Sequence, residues 1–223
     1  MVIWEKNIRN LEQVLIKILK NHFLPKNSYM AGGTALYYYL NHRVSIDIDC
    51  FTSESFRSEA LVAEARKLFN QTDVEILEKD SLVLFLTQDQ IKFSLFHFPY
   101  PLLSELNMIE IDNQVKCPTA SLEDIEAMKA VALAQRGSAK DFVDLFYLLR
   151  KNRHSFEDLF FCVKRKYDVD EKYDYHLKTS MVYFKDAEPE IDSIVIIDEK
   201  GAARKITSEE WEEIKDFFMR FCQ

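Results

Sequence analysis

The chain has 223 residues, with 37 acidic side chains against 29 basic ones and a formal net charge of −8. At roughly 100–200 residues per domain this length gives one domain or one and a half, and 48% apolar residues supply a sizeable core. Four glycines and five prolines exclude collagenous and linker-rich classes, and 17 Phe with 10 Tyr argue against disorder.

Met1 to Lys6 lacks a basic stretch followed by an apolar run, so no signal peptide is expected. No apolar stretch approaches the roughly 18 residues of a membrane helix. Cys50, Cys117, Cys162 and Cys222 are widely spaced without C-x-x-C, so they read as reduced thiols in a cytoplasmic protein, with no disulfide partner. The five histidines show no zinc-like spacing. The charge is uneven: residues 168–200 are net acidic, while residues 129–166 are net basic. The basic block is a candidate seat for a triphosphate or an RNA backbone, or simply a solvated helical face.

Residues 2–20 place Ile3, Ile8, Leu11, Val14, Leu15, Ile18 and Leu19 at helical spacing, predicting an amphipathic helix ended before Pro25. Next comes Met30 to Phe51, M-A-G-G-T-A-L-Y-Y-Y-L-N-H-R-V-S-I-D-I-D-C-F. The glycine pair opens a helical run over Thr34–His42, and a strand follows over 44–51. Alternation there places Ser45, Asp47 and Asp49 on one face and Ile46, Ile48 and Cys50 on the other. If the strand returns antiparallel, Asp49 ends beside Gly33 and Thr34, whose free N–H groups form an anion site. Two carboxylates at i and i+2 suit Mg²⁺, which takes one or two carboxylates plus substrate phosphates. Taken alone, G-G before a helix is a turn and D-x-D a solvated face; their order and spacing favour the functional reading.

Ser55–Asn70 reads as a helix with Phe56, Ala60, Leu61, Ala63 and Leu68 inward. Strands are predicted at Val74–Leu77, Leu82–Leu86, Ile91–Phe98, Met108–Ile111 and Gln114–Cys117, the last two joined by a turn at Asp112-Asn113. The expected sheet is mixed or antiparallel, with helices on one side. Ser121 with Asp124 starts a helix that Gly137 ends. Ser138 starts the next, with Asp141 as its expected capping partner, Ser155 with Asp158 a third, and residues 171–184 a fourth. Ile191–Ile197 is a lone strand, and Thr207 with Glu210 caps a last helix through Trp211, Ile214 and Phe218.

The segment K-A-V-A-L-A-Q-R-G-S-A-K-D-F-V-D-L carries Lys129, Arg136, Lys140, Asp141 and Asp144 across two helices. By themselves, Lys129 and Asp144 could be exposed surface charges. Together with Gly32, Gly33, Thr34, Arg43, Ser45, Asp47 and Asp49, this segment resembles the DNA polymerase β-like nucleotidyltransferases. It is most similar to the AbiEii/AbiGii toxin branch, which includes the mycobacterial MenT toxins. The two ordered matches span residues 32–145.

The resemblance implies an α+β fold, with a nucleotidyltransferase-type mixed sheet, flanking helices and a helical C-terminal region. The expected division is a core at 1–120, a helical region completing the site at 121–190 and a small appendage at 191–223. The implied reaction is Mg²⁺-dependent transfer of NMP from an NTP to RNA or protein, with Mn²⁺ as the alternative metal and tRNA as one acceptor. The implied setting is a toxin of a toxin–antitoxin or phage-defence system, with a separately encoded antitoxin. Asp47, Asp49, Lys129 and Asp144 are the expected catalytic residues, and Asp47 and Asp49 the metal ligands. Gly32, Gly33, Thr34, Arg43, Ser45 and Lys140 are expected to bind nucleotide. In these roles Arg43 or Lys129 contacts triphosphate, Ser45 bonds a neighbouring carboxylate, and Asp144 completes the acidic site or orients the acceptor hydroxyl. The sequence departs from the family where a third strand carboxylate is expected: the candidate strand Ile91–Phe96 carries Ser94. This predicts one tightly held metal, and it sustains a rival reading as a catalytically impaired nucleotide-binding module. A metal-dependent glycosyltransferase also uses D-x-D, but the glycine-led helix and the later Lys/Asp helix pair argue against it.

Overall fold

The structure, a computed structural model, describes residues 3–223, with Ile3 by its backbone alone. Met1 and Val2, part of the segments read above for a leader and a first helix, lie outside the described residues. The chain divides into two compact units. The first comprises residues through Tyr38, Ser45–Tyr100 and Glu105–Ala120; the second comprises Tyr39–Val44, Pro101–Ser104 and Ser121–Gln223.

In the first unit α1 (Ile3–Lys20) precedes β1 (Ser28–Ala31), α2 (Gly32–Leu40), β2 (Ile48–Thr52) and α3 (Ser58–Leu68). The last two residues of α2 belong to the second unit. Then come β3 (Thr72–Glu78), β4 (Ser81–Leu86), β5 (Ile91–His97), β6 (Asn107–Ile111) and β7 (Val115–Thr119). All seven strands form one mixed sheet in the order β3-β4-β5-β2-β1-β7-β6. β1 pairs antiparallel with β2 and parallel with β7, and β2 runs parallel to β5. Alternation sends Ile48, Cys50, Phe93 and Leu95 to a face on which none is accessible. The helix α1 packs on β5, β6 and β7, and its buried stripe of Leu11, Val14, Leu15 and Ile18 supplies the apolar partner. Asp112 and Asn113 both take positive φ, 46° and 51°, in the three-residue turn that joins Ile111 to Val115.

Four expectations change. The strand β1 was not predicted: it has only four residues, all buried, too few to show a period. The helix α2 begins at Gly32 and stops at Leu40 rather than running from Thr34 to His42. The strand β2 begins at Ile48, so Ser45 and Asp47 precede it instead of sharing its face with Asp49, and Ile46 is 37% exposed. The helix α3 starts at Ser58, and its inward residues include Val62 and Ala65, while Ala63 faces out.

The second unit contains α4 (Leu122–Arg136), α5 (Ala139–Asn152), α6 (Phe156–Tyr167) and α7 (Tyr173–Met181). A 3₁₀ turn at Glu188–Ser193 leads to β8 (Val195–Ile197), β9 (Ala203–Lys205) and α8 (Ser208–Phe221). Ser121 accepts from the Asp124 N–H, and Gly137 closes α4 in the left-handed region at φ +60°. Ser155/Asp158 and Thr207/Glu210 form complete capping boxes. The core centres on Phe142, whose ring meets Trp211 and Phe218 edge-on. The predicted lone strand has a partner, since β8 and β9 pair antiparallel, and Ile191 lies in the 3₁₀ turn instead. The expected Ser138–Asp141 cap is absent: the Ser138 hydroxyl and the Ala139 N–H both donate to Glu190. All four cysteines are free, and no helix among the described residues is long and apolar enough to cross a membrane.

Candidate active site

The first cluster lies in the first unit, where β1 runs straight into α2. Gly32 has φ +73°, and a Cβ placed there would lie 2.7 Å from Asp49 Oδ2. Both facts demand glycine, the first by backbone sterics and the second by close approach. Ala31 sits opposite Asp49 in the β1–β2 register, so the carboxylate stands at the start of α2. The first turn of a helix has N–H groups without intrahelical acceptors and a partial positive charge, which favours an anion.

Thr34 is buried; its hydroxyl donates to the Asp47 carbonyl oxygen at 2.5 Å and shares a hydrogen bond with Ser45 Oγ at 3.1 Å. These side chains tie residues 45–47 to the start of α2. Ser45 thus bonds a hydroxyl rather than the neighbouring carboxylate expected of it, and the backbone N–H groups are what α2 can offer a phosphate. Asp47 and Asp49 are both part-exposed. Among the described residues no group of three or more His, Cys, Asp or Glu side chains forms a metal-binding arrangement. Two part-exposed carboxylates two residues apart in the chain, with Asp49 at the glycine-opened start of α2, supply the hard oxygen donors that suit Mg²⁺ completed by phosphate oxygens and water. Ser94, 2% exposed, lies directly beside Asp49 in the parallel β2–β5 register, on the same face of the sheet.

The second cluster lies in the second unit. Asp141 and Asp144 are three residues apart on α5, hence on one face, and both meet Lys129 of α4, at 3.0 and 2.7 Å. Arg43 grips Asp144 with Nε and Nη2 at 2.6 and 2.7 Å, and His42 Nε2 lies 2.6 Å from Asp144 Oδ1. Arg136 bonds both oxygens of Asp141. Burial alone would push the Asp144 carboxyl up; the Arg43 and Lys129 charges outweigh it and hold it well below the usual range. Burial would likewise lower Lys129, but Asp144 and Asp141 raise it. Burial drives His42 down despite Asp144, with Arg43 and Lys129 adding to the effect. Neutral His42 must therefore donate from Nε2, because an ionised carboxylate only accepts. Asp144 takes four donors, which is at odds with its orienting an acceptor hydroxyl or receiving a proton.

Lys129 is 7% exposed rather than a surface charge. Lys140, in contrast, is exposed and takes no part in the cluster. The sequence reading missed His42 and the Arg136–Asp141 pair; the one available signal was the H-R dipeptide after a helix end.

This cluster sets a pH dependence. The depressed His42 pKa means that the folded chain holds fewer protons than the unfolded chain below about pH 6.5, so stability falls as pH drops through that window, by up to about 1.4 kcal/mol per pH unit. Asp144 adds a further loss only as pH falls through the carboxylate range. Thermal melts of wild type and His42→Gln between pH 7.5 and 5 check this: the wild-type melting temperature should fall more steeply, and parallel curves would contradict it.

A family model described as the nucleotidyl transferase AbiEii toxin of type IV toxin–antitoxin systems matches residues 13–221. An uncharacterised protein of Aquifex aeolicus is 37% identical over 213 residues, covering 94% of this chain and 91% of its own. The crystal structure of JHP933 from Helicobacter pylori aligns with a TM-score of 0.54 at 19% identity, over 96% of this chain and 91% of that one. MenT4, a nucleotidyltransferase toxin from Mycobacterium tuberculosis, aligns with a TM-score of 0.55 at 13% identity, over 99% and 85%. These two structures share the fold.

Proposed function

The chain belongs to the AbiEii nucleotidyltransferase toxin family, and from that premise we propose that it transfers NMP from an NTP to an RNA or protein acceptor, tRNA among the RNAs, in a Mg²⁺-dependent reaction. The observation that carries this reading is the contact between the glycine-opened start of α2 and Asp49 within one unit. Gly32 and Gly33 let a phosphate approach the N–H groups of α2. Asp47 and Asp49 hold the cation, for which Mn²⁺ can substitute. Once bound, it neutralises charge on the triphosphate. Thr34 and Ser45 keep the Asp47 segment in place. The family resemblance further assigns Arg43, Lys129 and the exposed Lys140 to the nucleotide, and Asp144 is the positioning residue that holds Arg43 and Lys129. The acceptor oxygen bonds to the α-phosphorus, pyrophosphate leaves, and the acceptor proton passes to water rather than to the saturated Asp144. The reading extends to a cytoplasmic toxin of a toxin–antitoxin or phage-defence system with a separately encoded antitoxin.

Incubation with each α-labelled NTP, Mg²⁺, total tRNA and cell lysate tests this. Metal-dependent label in RNA or protein is the expected result. NTP binding with no label in any acceptor would favour a catalytically impaired binding module, which Ser94 beside Asp49 keeps in view.

Ser94 yields a separate prediction. A neutral hydroxyl does not hold a second divalent cation as a carboxylate does, so one Mn²⁺ should bind per chain with a non-hydrolysable NTP. Ser94→Asp should tighten metal binding by about tenfold, roughly 1.4 kcal/mol. Calorimetric titration reads both, and two equivalent Mn²⁺ in wild type would overturn the one-metal reading.

A further inference from the structure

We propose that the β8–β9 hairpin is a positioning element for nucleotide transfer, fixing His42 and Arg43 through backbone pairing, and that His42 is a positioning residue acting through Asp144. The activity part of this inference rests on the proposed assignment of Arg43 to the nucleotide.

The segment that carries both side chains has no regular structure of its own. Asn41 adopts φ +48° just after α2 ends, and residues 42–44 run extended. Extended backbone needs partners for its polar groups, and β8 provides them. Ile197 N–H donates to the His42 carbonyl and Val44 N–H to the Val195 carbonyl, both at 2.9 Å, with Arg43 bridged to Ile196. The segment thus behaves as a third strand of the hairpin. From it His42 and Arg43 reach the same carboxylate, Asp144 on α5.

The hairpin is itself fastened at its far end. Asp198 accepts from the N–H groups of Lys200 and Ala202, which shapes the turn at Gly201. Arg204 makes two bonds to Glu210, at 2.8 and 2.6 Å, and Glu210 completes the capping box of α8. The helix α8 packs on α5, which carries Asp144. The contacts close a ring from Asp144 through residues 42–44, β8, β9 and Arg204–Glu210 back to α5. Ile196 is buried in the apolar core of this unit together with Phe142 and Phe146 of α5, and an open pocket lined by Tyr147, Arg150, Ile197 and Arg204 flanks the hairpin. Beside that packing, the hairpin is held by its pairing with residues 42–44 and by the Arg204–Glu210 bonds. A side chain held by such a second layer of contacts reaches its working position without further ordering, which makes the C-terminal residues part of the catalytic apparatus.

The test uses the full chain and three variants: Arg204→Ala, His42→Ala and His42→Gln. Hydrogen exchange reads the Val44 and Ile197 amides, nitrogen NMR reads the Arg43 Nε signal, and NTP affinity and transfer rate are measured alongside. Arg204→Ala should speed exchange at both amides about tenfold or more and broaden the Arg43 signal. NTP binding should weaken by about tenfold, seen as a raised KM. His42→Ala should weaken binding similarly, and His42→Gln, whose amide can still donate to Asp144, should recover most of it. Loosened amides with unchanged NTP affinity would overturn the inference alone, as would amides that exchange freely in wild type. A wild-type protein that neither binds nor transfers any NTP would overturn the proposed function, and the inference with it.

Discussion

Asp49→Asn is expected to lower nucleotidyl transfer by about a hundredfold or more while leaving the sheet folded. The substitution preserves shape, so the β1–β2 register of Ala31 with Asp49 and the β2–β5 register with Ser94 have no steric reason to change. What changes is charge. A neutral amide is a weak ligand for a hard divalent cation, and with Ser94 next to it no strand carboxylate compensates. Loss of one such electrostatic contribution at a developing phosphoryl charge typically removes about 2.7–4 kcal/mol of transition-state stabilisation. Asp49 is part-exposed, so melting should move by no more than a few degrees. Steady-state kinetics with labelled NTP, paired with thermal melts, decides the matter. Wild-type turnover in Asp49→Asn would remove the metal assignment, and a collapsed melt would show a structural role instead. Asp47→Asn should lose activity by a comparable factor, since the same cation is shared.

The largest loss of stability is expected at Asp144. Asp144→Asn leaves Arg43 and Lys129 buried with one carboxylate, Asp141, which Arg136 already engages. Removing one partner of a buried ion cluster costs about 3–5 kcal/mol, because the remaining charges lose their compensation. That is a large share of the roughly 5–15 kcal/mol that holds a domain folded. Adding Lys129→Met to Asp144→Asn removes one uncompensated charge and should recover part of the stability without recovering transfer. Asp141→Asn should cost less, about 1–3 kcal/mol, because Lys129 keeps Asp144 and the Arg136 side chain is 61% exposed to water. Urea denaturation of the four proteins measures this order. Equal losses for Asp141→Asn and Asp144→Asn, or no recovery in the double variant, would show that the cluster does not act as a set of buried charges.

Much of the fold was legible because its signals are local. Ser121, Ser155 and Thr207 cap helices with partners three residues away, and Gly137 closes α4 within one turn. The turn at Asp112-Asn113 and the glycine-led helix before Asp47 and Asp49 follow from backbone rules that act over a few residues. The same locality explains the failures. Ser138 with Asp141 has cap-like spacing, yet its hydroxyl bonds Glu190, 52 residues on, and Asp141 turns to Lys129 and Arg136.

By itself the sequence determined the α+β plan and the glycine-opened helix, since alternation, capping and left-handed turns are properties of short segments. Only the tertiary structure decided that β1 separates β2 from β7, that β8 finds β9 and the segment at 42–44, and that His42, Arg43 and Lys129 all meet at Asp144. Arg43 and Asp144 stand 101 residues apart in the chain. No periodicity or spacing encodes such a meeting; it follows from the packing of α4, α5 and the hairpin, which buries the charges and obliges them to find one another.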